Sequence, residues 1–317
     1  MKTMRQAVLT DRGFEIRRTP MPRIASDEVL VRIAGNGVCA GDIGKFKDTR
    51  GRLGRELLLG HEASGEVAAV GSSVAMFKPG DLVTALGGFF AECHSFTPDQ
   101  LVRLPEGLDP VYGLGEPTAC CVHAMERSRI EPGDRVALVG CGFMGLVCLQ
   151  LARRQGASAI VALDTRASRR AMATRLGATQ ALDPASVNAT GKDFDGEYDV
   201  VIEAAGTQSA LDLCGYLVRQ HGLMLVVGHH HSEGGMRRVY MNQWNVKALD
   251  VVNGHVRRND EKRSAMARAM ALMADGHLVV EPLAICYPLA RIQEAFEDVA
   301  AGRDGLFKAV IVMDERT

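Results

Sequence analysis

The run Gly140-Cys141-Gly142-Phe143-Met144-Gly145 fits G-x-G-x-x-G. Alone the pattern is weak. Here it follows the short apolar stretch 135–139 and opens the helix-like stretch 143–155, which is the strand–turn–helix context of a dinucleotide-binding turn. In such a turn Gly140 makes the tight bend, and Gly142 lets the backbone approach a pyrophosphate resting on the helix N-terminus. Gly145 allows close helix–strand packing. Phe143 and Met144 belong to the same cofactor-binding run. The next strand ends at Asp164, roughly twenty residues beyond the fingerprint. A carboxylate there accepts bonds from the ribose hydroxyls and repels a 2′-phosphate, so NAD is expected over NADP. Arg166, Arg169 and Arg170 keep NADP open, because arginines just past that strand can hold a 2′-phosphate; Arg169 is counted with the cofactor residues. The bland alternative is a structural glycine turn with a solvated Asp164.

The eight cysteines, Cys39, Cys93, Cys120, Cys121, Cys141, Cys148, Cys214 and Cys286, are too few and too scattered for a disulfide framework. No C-x-x-C occurs, so a zinc held by four cysteines is not expected. A lone cysteine can still ligate a metal with help from histidine and carboxylates.

The elements that must position these groups change character along the chain. The first part reads as short strands (28–34, 66–71, 81–86) separated by Gly and Pro turns, a β-rich, barrel-like unit with few helical patterns. From about residue 118 helices and strands alternate: helix 118–129, strand 135–139, helix 143–155, strand 159–163, helix 169–176, strand 180–182, strand 200–202, helix 209–219, strand 223–227 and a last strand at 249–253. Such alternation implies βαβ units and a parallel sheet. Helices 261–274 and 289–300 and a closing strand 308–312 follow.

The chain has 317 residues, enough for about two domains. Lys plus Arg number 37 against 38 acidic residues, so no basic field exists to hold nucleic acid or an anionic membrane. No apolar run approaches the roughly 20 residues that span a bilayer, and no signal-like h-region opens the chain. A cytoplasmic protein is expected.

Gly60-His61-Glu62 with Gly65 and Gly71 fits G-H-E-x2-G-x5-G; upstream lies Gly37-Val38-Cys39-Ala40-Gly41-Asp42 and downstream Glu116-Pro117-Thr118-Ala119-Cys120-Cys121-Val122-His123. Together with the nucleotide fingerprint, these resemble the zinc-containing branch of the medium-chain dehydrogenase/reductase superfamily, the alcohol and polyol dehydrogenases. The resemblance covers essentially the whole chain. It implies an α/β protein: a GroES-like β-barrel catalytic domain over 1–118 and 255–317, a Rossmann doubly wound parallel-sheet domain over 119–254, and an active site in the cleft between them. It implies one catalytic zinc on Cys39 and His61, with Glu62 as a third or exchangeable ligand and Glu116 offering a carboxylate to the zinc or its water. Thiolate, imidazole and carboxylate leave a fourth position for the alcohol oxygen, whose pKa zinc lowers as hydride leaves for the nicotinamide. Taken singly, Cys39 also reads as a small buried hydrophobe and His61 as a core histidine.

Two departures from the family pattern stand out. The Cys-rich lobe that holds a structural zinc is absent, since Leu86 runs at once into Gly87-Gly88-Phe89; no structural zinc is expected. The Ser or Thr that usually precedes the Asp of the cysteine loop and passes on the alcohol proton is Gly41, and the histidine often found two residues after Asp42 is Gly44. Water or another side chain must serve. His229, in His229-His230-His231 after Gly228, is the candidate for acid–base help, although a solvated loop is the plainer reading. The turn Glu203-Ala204-Ala205-Gly206 resembles the family's turn beside the cofactor riboses, so Ala205 and Gly228 join the cofactor residues. Trp244, Asn253, His255 and Arg257 suit a polar, sugar-sized substrate or a plain domain interface. Cys120-Cys121 reads as packing and His123 as a buried, hydrogen-bonded histidine.

The expected function is NAD-dependent oxidation of a secondary alcohol to its ketone, with a polyol, cyclitol or sugar hydroxyl favoured. A zinc-free reductase of the same superfamily and a nucleotide-sensing homologue without turnover are the alternatives. A homodimer or homotetramer through an edge strand near 249–253 is expected, because an uncovered apolar edge strand invites pairing.

Overall fold

The computed structural model describes residues 2–49, 51–52, 54–187, 196–231 and 233–313. The chain divides into two compact units, Met1–Ala119 with Arg258–Thr317, and Cys120–Arg257.

The first unit is built on β-structure. A hairpin pairs Thr3–Thr10 with Gly13–Pro20. A seven-stranded sheet runs in the order Ala284–Pro288, Lys308–Val312, Val29–Gly37, Ala63–Val70, Leu82–Ala85, Leu101–Arg103, with Cys93–Phe96 pairing on Val29–Gly37 off this path. Val29, Val31 and Ile33 alternate inward along the central strand and are buried, whereas Arg32 points out. Their core includes Leu9, Phe46, Phe90, Phe96 and Phe296. Phe296 meets Phe14 at 4.6 Å and Phe46 at 5.4 Å between ring centroids. The Phe46 contact brings in an element for which the sequence reading had no helix: Ala40–Thr49 is an α-helix that buries Ile43, Phe46 and Thr49 on one face. Gly41 and Gly44 dilute its helical propensity, which hides it from pattern reading.

The second unit carries six parallel strands in the order Gln180–Leu182, Ala159–Leu163, Arg135–Val139, Tyr198–Glu203, Val218–Val226, Asp250–Asn253. Numbered within the unit this is 3-2-1-4-5-6, the doubly wound order of dinucleotide-binding folds, with its switch point between Arg135–Val139 and Tyr198–Glu203. Past their first residues, Arg135 and Ala159, these central strands are buried throughout, as strands covered on both faces must be. The strand expected at 223–227 is longer and starts at Val218, with an irregularity in its register against Tyr198–Glu203 and a positive φ at His221. The helix expected at 209–219 therefore stops at Leu217. The helix expected from 118 begins at Gly115 instead; Pro117 sits in its first turn, where the missing N–H costs nothing.

Candidate active site

In the first unit, strand Val29–Gly37 delivers the chain to Cys39 at the start of helix Ala40–Thr49. The Cys39 carbonyl accepts from the N–H groups of Asp42 (3.0 Å) and Ile43 (3.3 Å), and its own N–H donates to Asp42 Oδ2 at 3.4 Å. His61 and Glu62 stand immediately before strand Ala63–Val70. The Glu62 N–H donates to Asn36 Oδ1 at 3.0 Å, and Asn36 Nδ2 to the Phe89 carbonyl at 3.1 Å.

These two chain segments bring Cys39, His61 and Glu62 together. One ligand atom from each lies within 4.8 Å of the others. Sulfur, imidazole nitrogen and carboxylate oxygen form a donor set suited to zinc. His61 Nδ1 stands 3.5 Å from Asp42 Oδ2, and a carboxylate beside the ring is the usual orienting partner of a metal-bound histidine. Asp42 and Cys39 together push His61 up to about 11, so a metal entering here displaces a proton from the imidazole. Asp42 Oδ1 is buried with no hydrogen-bond partner among the described residues.

Glu62 is fully buried against Lys308, whose Nζ lies 2.6 Å from Oε2 and donates to Oε1 at 2.8 Å. Burial pushes the Glu62 carboxyl up and Lys308 opposes it; burial works against the Lys308 ammonium too, but Glu62 and Cys39 outweigh it and hold the proton on the lysine. The Lys308 Nζ also donates to the Val38 carbonyl at 3.3 Å.

Glu116 lies outside the trio of ligand atoms. Its Oε1 accepts from Lys262 Nζ at 2.8 Å. Neither lysine was singled out from sequence as a site residue. Lys308 did leave a signal, a lone charge opening the buried strand Lys308–Val312, which demands a partner. Lys262 left none, since a lysine in the polar first turns of a helix is ordinary.

In the second unit the three fingerprint glycines stand for three different reasons. Gly140 has φ +102°, a conformation side chains resist. A Cβ on Gly145 would stand 2.0 Å from the Gly140 carbonyl oxygen. A Cβ on Gly142 would meet nothing within 4 Å: the space in front of the N-cap of helix Phe143–Gln155 is open, as a cradle for a pyrophosphate must be. Phe143 and Met144 form the helix's first turn, and Phe143 is buried.

Asp164 is buried and braces this loop: Oδ2 accepts from the Cys141 N–H and Oδ1 from the Arg166 N–H, both at 2.9 Å. Arg169 Nη1 lies 3.6 Å from Oδ2. Arg170 donates to the Asp164 carbonyl at 2.7 Å and to Asp183 at 3.1 Å.

Across the switch point, the fully buried Glu203 accepts at Oε1 from the Ala205 N–H (3.0 Å) and the Gly206 N–H (2.7 Å). The Gly228 N–H donates to the Glu203 carbonyl at 2.9 Å. The histidine that reaches Glu203 is His230, at 2.9 Å from Oε2. His229 is exposed, with its ring stacked on His231. Nothing in the local sequence distinguishes these neighbours; the turn after the strand decides which ring points inward.

Residues 25–106 match the family described as alcohol dehydrogenase GroES-like domain, and residues 144–275 that described as zinc-binding dehydrogenase. The chain is 30% identical over 268 residues to sorbitol dehydrogenase of Bacillus subtilis strain 168, covering 72% of this chain and 75% of that one. It is 28% identical over 322 residues to D-arabitol-phosphate dehydrogenase of Enterococcus avium, covering 90% of each. Among solved structures, a zinc-binding dehydrogenase from Sinorhizobium meliloti 1021 with NADP bound superposes with a TM-score of 0.88 at 24% identity, covering 99% of this chain and 100% of the other; that likeness bears on the fold.

Proposed function

Because this chain belongs to the zinc-type medium-chain alcohol dehydrogenase family, we propose that it catalyses the reversible, NAD-dependent oxidation of a secondary alcohol, with a polyol, cyclitol or sugar hydroxyl as substrate. The observation that carries the reading is the grouping of Cys39, His61 and Glu62 within 4.8 Å. Those three would hold the zinc, leaving a position in the coordination shell for the alcohol. Bound zinc supplies Lewis acidity towards the alcohol oxygen, and bound nicotinamide accepts the hydride.

The chain's own residues do the rest. Asp42 orients His61, and Lys308 and Asn36 position Glu62. Lys262 holds Glu116 as an ion pair beside the trio rather than within it. Gly142 leaves room for the pyrophosphate, and Asp164 presents carboxylate charge where the adenosine ribose binds. Its two backbone bonds leave lone pairs for ribose hydroxyls. The first proton acceptor is a water or a side chain other than residue 41, which is glycine. The polyol preference draws on the sorbitol and arabitol-phosphate dehydrogenases among the relatives.

The second reading, a nucleotide-sensing protein without turnover, is favoured by one feature: Gly41 and Gly44 stand where a relay hydroxyl and imidazole are expected. Metal analysis and steady-state rates with NAD across neutral and acidic sugar alcohols separate the possibilities. One zinc per chain with turnover lost on chelation is the expected result. Full activity in metal-free protein overturns the zinc reading, and no oxidation of any alcohol favours the sensor.

A further inference from the structure

The turn at 204–206, which follows strand Tyr198–Glu203, stands directly against the nucleotide fingerprint. The Ala204 N–H donates to the Val139 carbonyl at 2.8 Å. A Cβ on Gly140 would lie 2.8 Å from the Ala204 carbonyl carbon and from the Ala205 nitrogen, and one on Gly145 would lie 3.3 Å from the Ala204 Cβ. A turn packed this closely on the fingerprint lines the switch point, the crevice across which a dinucleotide lies. With the adenosine half on the side of Ala159–Leu163 and Asp164, the nicotinamide half falls on the side of this turn.

The shape of the turn is set by Glu203 and by two residues from farther along the chain. Oε1 of the fully buried Glu203 takes the Ala205 and Gly206 N–H groups. Oε2 is met at 2.9 Å by His230 Nε2. Arg237 Nε donates to His230 Nδ1 at 2.9 Å, so the ring proton sits on Nε2 and is donated to Glu203. Arg237 Nη2 then returns to the turn and donates to the Gly206 carbonyl at 3.0 Å. The circuit closes: Glu203 holds the Gly206 N–H, and Arg237 holds the Gly206 carbonyl.

There is no slack around this circuit. Gly206 has φ +70°, and a Cβ there would stand 2.8 Å from the His229 carbonyl oxygen. A Cβ on Gly228 would stand 2.5 Å from the Gly206 nitrogen. The turns after strands Tyr198–Glu203 and Val218–Val226 thus touch backbone to backbone, and a shift in one displaces the other. A buried carboxylate that loses one of its donors is left with uncompensated charge, so Glu203 without His230 must move or find another partner.

We propose that His230 and Arg237 are positioning residues for the nicotinamide half of the cofactor, acting through Glu203 and the backbone of Gly206 to hold turn 204–206 in the shape that receives it. The inference rests on the nicotinamide-cofactor part of the reading above and requires neither the metal nor the identity of the alcohol. Every residue in the circuit belongs to the second unit.

The test measures binding of NADH, by nicotinamide fluorescence, and of AMP, by calorimetry, to the full chain. Wild type is set beside His230→Leu, His230→Gln and Arg237→Met. The Kd for NADH should rise about tenfold or more in His230→Leu and Arg237→Met, the effect of roughly one hydrogen bond to a charged group. The Kd for AMP, which reports the adenosine side alone, should change by less than about twofold. A glutamine amide offers an acceptor to Arg237 and a donor to Glu203, so His230→Gln should recover most of the NADH affinity that leucine loses. Unchanged NADH affinity in both loss variants overturns the proposal. Loss of AMP affinity in step with NADH overturns it too, by showing general damage to the unit rather than positioning of one half of the ligand. A glutamine variant no better than leucine rules out the hydrogen-bonded circuit as the cause. Should His230→Leu fail to fold, Arg237→Met decides, since it removes only the outer end of the circuit. A wild type that binds neither NADH nor NADPH sinks the cofactor reading and this assignment with it; tight NADH binding that both variants leave intact removes this assignment alone.

Discussion

Glu62 is held from several sides. Asn36 fixes its N–H, Lys308 grips its carboxylate, and a Cβ on Gly37 would stand 2.0 Å from Oε2. Gly37→Ala should therefore push the carboxylate out of the trio. Zinc affinity, measured by competition with a chromogenic chelator, should fall by about tenfold or more; unchanged affinity would remove Glu62 from the ligand set. Residue 41 is a different case. A Cβ there would lie 3.9 Å from Cys39 Sγ, an ordinary contact, so Gly41→Ser fits and places a hydroxyl beside the site. Positioned proton transfer is typically worth about 100- to 10,000-fold. The serine variant should preserve or raise kcat and shift its pH profile; a large loss with correct folding would argue against water as the first acceptor. On the cofactor side, Asp164 braces Cys141 and Arg166, and on the proposed reading its carboxylate would also receive the adenosine ribose. NAD should exceed NADP by about tenfold in kcat/KM, the effect of roughly one charge-assisted bond. Asp164→Ala should narrow the gap, with Arg169 released towards a 2′-phosphate. Equal rates with both cofactors in the wild type would refute the NAD assignment.

At the scale of elements, the strand and helix that carry the nucleotide fingerprint occupy the bounds the sequence implies, Arg135–Val139 and Phe143–Gln155. Turn residues punctuate both: Pro132-Gly133 before the strand, glycines between, and Gly156 in the left-handed conformation at the helix end. Helix Gln208–Leu217 ends by another device. Lys247, from helix Met241–Lys247, is buried and donates to the carbonyls of Gly215 (3.0 Å), Tyr216 (2.6 Å) and Val218 (2.9 Å). An ammonium on the last carbonyls suits the negative end of a helix. Lys247→Met should lower unfolding stability by about 1.5–3 kcal/mol, the worth of hydrogen bonds to a charged group, read from the urea midpoint at constant m-value. A change within error would show that water replaces the lysine. Sequence reading has no purchase on this cap, because a lysine 29 to 32 positions away from its targets looks like any surface lysine.

At the scale of the molecule, the sheet of the second unit ends at Asp250–Asn253. Beside it Val246 is 68% exposed, Met241 52% and Val251 46%. We propose that this edge pairs with a second copy of the chain, because an exposed strand edge flanked by apolar side chains is a template for association. Light scattering at micromolar concentration should report a dimer or tetramer, and Val251→Lys should shift it towards monomer. A wild-type monomer would refute the proposal. No helix among the described residues is long and apolar enough to cross a membrane.

Features that depend on adjacent residues are legible in the chain alone. Gly140 to Gly145, the strands and helices around them, and the pairing of His61 with Glu62 are written in contiguous residues, since turn conformation and hydrophobic periodicity are short-range properties. The tertiary structure decided the partners. Lys308 reaches Glu62 across 246 positions and Lys262 reaches Glu116 across 146. Glu62 thereby joins Cys39 and His61, while Glu116 is drawn into an ion pair of its own. The choice of His230 over His229 for Glu203 likewise came from the path of the chain after strand Val218–Val226. Contacts of that span leave no local pattern, because they exist only once the sheet has brought distant strands to one place.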